Sequence, residues 1–111
     1  MSEAKREREV YTLLVEVGRK AGDGLPENST GAALLCFAAG RDEAEAVRET
    51  VATLKQADLA PLDVTGYGTE GERASHGHDV GEDERQLMRR AIEDNAVVVA
   101  QVTHLYDQGR V

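Results

Sequence analysis

Aromatic residues are scarce in this 111-residue chain, with one Phe, three Tyr and no Trp. A core with so few rings has to be filled by Leu, Val and Ala. Cysteine is rarer still. The single Cys36 excludes an internal disulfide, and a chain of this length buries about two-thirds of the surface its unfolded form exposes, enough to need no staple. Cations are the minority: thirteen Lys and Arg face twenty-one Asp and Glu, for a formal charge of -8 and a pI near 4.8. That balance opposes binding to nucleic acid and to anionic membrane surfaces, both of which need cationic side chains. Apolar runs stop well short of the roughly 20 residues of a membrane-spanning helix. The charged first residues, Met1 to Glu9, do not read as a secretory signal, so the expected compartment is the cytoplasm.

What is present reads as one domain over residues 1–111, with 1–9 and 107–111 expected to be frayed tails. Val10 to Val17 alternates, with Tyr11, Leu13, Val15 and Val17 on an apolar face and Val10, Thr12, Leu14 and Glu16 on a mixed one, which predicts a strand. Gly18 to Gly31 has no periodic face and reads as a long connection. Ala32 to Ala39 is apolar throughout and suits an inner strand, with Cys36 as a small buried apolar residue within it.

Asp42 followed by Glu45 marks a helix start. Ala44, Val47, Val51 and Leu54 form a stripe that carries the helix to Asp58, before Pro61. A short strand follows at Leu62 to Thr65. Gly66 to Gly81 is rich in glycine and poor in apolar residues, and is expected to be a mobile loop. Glu82 to Asn95 resumes helical spacing through Leu87, Met88, Ala91 and Ile92, with its acids in the first turn, where the helix dipole favours them. Ala96 to Val102 closes the chain as a second inner strand.

Four strands and two helices are most simply arranged as an α+β, two-layer α/β sandwich. In this expectation a mixed four-stranded sheet carries both helices on one face, as a ferredoxin-like plait or a variant of it. The expected core is Leu35, Phe37, Val47, Val51, Leu54, Leu87, Ile92, Val97 and Val99.

Chemistry-bearing residues concentrate in one segment. Tyr67, Arg73, His76 and His78 are the candidate ligand-binding set, because they supply a ring, a cation and two imidazoles within a short span. His76 and His78, with Asp79 as an oxygen donor, are the candidate metal ligands, to which His104 would add only if the fold brought it near. No cofactor other than a divalent metal is implied. The acid clusters Asp42/Glu43 and Glu82/Asp83/Glu84 sit at helix starts and are assigned to capping. No nucleophile elbow, metalloprotease helix or phosphate loop occurs.

Three function classes remain. The first is a homo-oligomeric binding or interaction module, a dimer that covers an apolar sheet face out of reach of two helices. The second is a small-ligand or metal-dependent enzyme that uses the His76/His78 segment. The third is an acidic binder of a basic protein surface.

Overall fold

Two strands with apolar residues on both faces set the architecture. The computed structural model describes residues 7–107. β1 (Glu9–Val17) and β2 (Gly31–Gly40) pair antiparallel from Glu9↔Gly40 to Val17↔Ala32 without interruption. The register places Leu13 beside Cys36 and Thr12 beside Phe37. Successive side chains of a strand point to opposite faces. One face therefore carries Tyr11, Leu13, Val15 and Val17 with Leu34, Cys36 and Ala38, and the other carries Val10, Thr12 and Leu14 with Leu35, Phe37 and Ala39.

Among the described residues, the remaining strands complete an α+β fold with a four-stranded antiparallel sheet and three helices. β3 (Pro61–Gly68) adds to β1, and β4 (Val98–Leu105) adds to β2, in the order β3-β1-β2-β4. α1 (Glu43–Gln56) links β2 to β3. The side chain of Asp42 caps it by accepting from the N–H of Glu45 at 2.8 Å. Ala46 and Leu54 of α1 are buried against the Leu13 face. α2 (Glu70–Ser75) and α3 (Glu82–Glu93) link β3 to β4. Met88 and Ala91 of α3 are buried with Phe37 and Val80, on the other face.

This arrangement corrects the two-layer expectation. Its helices lie on both faces of the sheet, and the sheet is antiparallel rather than mixed. The strand order is also not the typical one of a ferredoxin-like plait. The reason lies in the connections. β3 and β4 occupy opposite edges, so the chain between them must cross the whole sheet, and α1 already covers the Leu13 face. Phe37 and Val10 offer an apolar surface on the free side, and α3 takes it.

Several boundaries and core assignments change with it. Gly66–Gly81 is not one loop, because β3 runs on to Gly68 and α2 forms at Glu70–Ser75. β4 is an edge strand rather than an inner one, so Val99 is 42% exposed. Ile92, on the flank of α3, is 36% exposed. Phe37 and Leu54 are buried as expected, and Leu35, Val47, Val51, Leu87 and Val97 are half-buried. Glu9 belongs to β1, and Arg8 donates to the carbonyl of Ala39 and to the side chain of Asn95, so these two residues are not tail. The expected tails at 1–6 and 108–111 lie outside the described residues.

The β1–β2 connection is held by an ion pair. Arg19 Nε donates to Asp23 at 3.0 Å, and its Nη1 donates to the carbonyls of Pro26 at 2.9 Å and Ser29 at 2.7 Å. Asp23 also accepts from the backbone N–H groups of Lys20 and Leu25. The guanidinium of Arg19, then those two N–H groups, hold the Asp23 carboxyl below the ordinary carboxylate range. Arg41 in the same way holds Glu45 down to about 2.

Two predictions follow from this packing. Leu54→Ala should cost about 2–5 kcal/mol in urea unfolding, the usual range for a buried Leu, whereas Leu62→Ala, at a side chain 68% exposed, should cost under about 0.5 kcal/mol. Equal losses would mean that α1 packs by a different face. Because folding depresses the Asp23 and Glu45 carboxyls, their contribution is complete above the ordinary carboxylate range and is lost as pH falls towards their folded values. Melting temperature should therefore fall less steeply with acid in Asp23→Asn than in the parent, and parallel curves would show that Asp23 does not hold the loop.

Candidate functional site

The segment that follows β3 is shaped by local backbone signals. Between the pairs Leu13↔Gly66 and Thr12↔Gly68 the register slips by one residue, so Tyr67 is the extra residue of a β-bulge. Bulges bend a strand and re-aim the side chain at the bulge. Gly68 then adopts a φ of 84°, which turns the chain out of the sheet and favours glycine. Thr69 caps α2 with a full capping box: its hydroxyl accepts from the N–H of Glu72 at 3.2 Å, and the Glu72 carboxylate accepts from the N–H of Thr69 at 2.8 Å.

The other end of α2 is equally defined. Gly77 has a φ of 82°, its N–H donates to the carbonyl of Ala74, and the N–H of His78 donates to the carbonyl of Arg73. This pair of bonds around a left-handed glycine is a Schellman cap. It fixes His76 and His78 on either side of the turn, next to the strand that carries Tyr67.

Tyr67, Arg73, His76 and His78 line one cleft of about 350 Å³, with Gly66. A neighbouring hollow of about 270 Å³ shares Tyr67, Arg73 and His78 and extends to Thr12 and Leu35 on the sheet. The four residues singled out as a ligand-binding set thus converge. The rings of Tyr67 and His78 meet edge to face, with centroids 6.4 Å apart. Nδ1 of His76 lies 2.9 Å from the carbonyl oxygen of Glu72. A carbonyl only accepts, so Nδ1 carries the proton and Nε2 of a neutral ring keeps its lone pair.

Arg73 is the fixed point of the cleft. Its side chain is 12% exposed and pairs with Glu84 through both nitrogens, at 3.2 Å and 3.4 Å, while Nη1 also donates to Thr12 at 3.1 Å. The ion pair ties α2 to α3, and the Thr12 bond ties both to β1. Thr12 and Glu84 are the functional neighbours that sequence reasoning missed. Glu84 is the third residue of α3, where it also accepts weakly from the N–H of Gly81 at 3.5 Å. A capping role hid its second one. The Thr12 signal was its position on the mixed face of β1.

The other candidates lie elsewhere. Asp79 is not part of the cleft lining. His104 is on β4, at the sheet edge opposite β3, so it does not join His76 and His78. Among the described residues no group of three His, Cys, Asp or Glu side chains gathers as a metal cage would. Cys36 is buried on the α1 face, and burial pushes its thiol up to about 11, which makes it a poor nucleophile. Among the described residues no helix is long and apolar enough to cross a membrane.

No curated protein and no solved structure matches the chain. Residues 10–106, from the first core residue of β1 to the exit of β4, match a domain of unknown function (DUF8846), and the chain belongs to that family.

Proposed function

We propose that the protein is a cytoplasmic small-molecule binding module whose site is the cleft of Tyr67, Arg73, His76 and His78. The observation that carries this reading is the fixing of Arg73. A guanidinium held on three bonds and largely buried is preorganised, so a ligand does not have to order it on binding. Arg73 shares one hollow with two imidazoles, in a chain of net charge -8. The ligand that fits is a small molecule with an anionic group for Arg73 and a flat ring for Tyr67 and His78. The volume of the cleft lies at the lower end of the usual range for such sites, about 300–1,000 Å³. A second reading is a divalent cation on His76 and His78. One observation favours it: the Glu72 carbonyl fixes the His76 tautomer as metal-bound histidines usually have theirs fixed.

Titration of the full chain with phenyl phosphate, followed by amide chemical shifts, tests the first reading. The expected result is shifts centred on Tyr67, Arg73, His76 and His78, larger than those from inorganic phosphate or phenol alone and at least tenfold weaker in affinity with Tyr67→Ala. Shifts caused by Zn²⁺ alone would select the second reading. Shifts scattered over other surfaces, or none with any probe, would overturn both.

A further inference from the structure

Given that the cleft of Tyr67, Arg73, His76 and His78 is a small-molecule site, as the binding reading holds, we propose that the anion it takes is a carboxylate carried on a flat ring, with benzoate as the simplest example, and not a phosphate. A guanidinium has five N–H donors in a rigid planar fork. Among the described residues Arg73 uses three of them. Nη1 and Nη2 each give one to the Glu84 carboxylate, and Nη1 gives its other to Thr12. The two that remain are the N–H of Nε and the second N–H of Nη2. They lie parallel along the side of the fork, where the two oxygens of one acid group can accept both.

The groups that hold these donors are sheltered. The Arg73 side chain is 12% exposed, and Thr12 is 2% exposed. The Thr12 oxygen accepts from Arg73, and among the described residues its own proton meets no acceptor. Buried donors are nearly always paired in folded proteins. Arg73 and Thr12 line the inner hollow of about 270 Å³ together with Leu35, Tyr67 and His78. Leu35 is half-buried, and the two rings stand edge to face. A pair of oxygens on a flat ring matches both halves of this lining. The oxygens suit the remaining donors, and the ring suits the leucine and the two aromatic side chains.

Charge decides between the acids. Glu84 already balances Arg73, so an incoming anion meets a neutral pair rather than a bare cation. Its own charge then counts against it in a chain of -8. A phosphate monoester carries about -1.5 to -2 at neutral pH, whereas a carboxylate carries a single charge. The carboxylate therefore makes the same two fork bonds at roughly half the repulsion.

Titration of the unmodified full chain at pH 7.5 with benzoate, phenyl phosphate and benzamide, followed by amide and Arg73 Nε–H chemical shifts, tests the proposal. All three carry the same ring, and benzamide lacks the charge and the second acceptor oxygen. Benzoate should bind at least tenfold more tightly than either of the others and should move the Arg73 Nε–H signal. Arg73→Lys, which keeps the charge and loses the fork, should weaken benzoate at least tenfold with unchanged circular dichroism. Phenyl phosphate binding in the cleft as tightly as benzoate, or more tightly, would overturn the carboxylate assignment and leave the cleft as a binding site. Benzamide equal to benzoate, or an unmoved Nε–H signal on benzoate binding, would overturn it in the same way. No shifts in the cleft with any of the three would overturn the binding reading as well.

Discussion

The structure depends on β2 being apolar on both faces. Its ladder with β1 alternates Leu34, Cys36 and Ala38 against Leu35, Phe37 and Ala39, and neither set tolerates water. A single helix layer covers one set only. At about 25 cal/mol per Å² of buried apolar surface, leaving Phe37 bare would forgo roughly 1.5–3 kcal/mol, a large share of a marginal total. The chain meets the demand by sending α1 over one face and α3 over the other. The order β3-β1-β2-β4 makes this the natural route, because the link between the outer strands has to traverse the sheet.

The candidate site is a by-product of that traverse. α3 covers β2 and β4 while α2 sits over β3 and β1, and the hollow beside them is closed by the bulged Tyr67 and the turn after α2. Arg73 bridges the parts through Glu84 and Thr12. Its ion pair is half-sheltered, so it is worth more than an exposed pair and less than the bare Coulomb energy. What the pair secures is position: both helices and the central strand meet at one guanidinium.

Much of this was legible in the sequence, and the failures have physical causes. The alternation in β1, the apolar run of β2 and the Asp42 cap placed three elements to within two residues. The convergence of Tyr67, Arg73, His76 and His78 followed from their proximity in sequence. α2 was missed because a six-residue helix on the surface has no apolar period to read. Its signals were Thr69 with Glu72 as a capping box and Gly77 as a left-handed cap. The second helix layer was missed because one apolar sheet face was given to a partner molecule, although one strand buried on both faces already called for cover within the chain. Val99 was misplaced because an apolar strand reads the same at an edge as at the centre, and only the pairing partners tell them apart.

The central claim is that α1 and α3 lie on opposite faces of the sheet, since the cleft beside α2 and α3 follows from it. Carbon-edited NOE spectroscopy tests this directly, because Phe37 is the one Phe of the chain and gives an unambiguous ring signal. The account predicts NOEs from the Phe37 ring to the methyl groups of Met88 and Ala91, and from Leu54 to Leu13 and Cys36. NOEs between Phe37 and Leu54, or between Met88 and Leu54, would place the helices in one layer and contradict it.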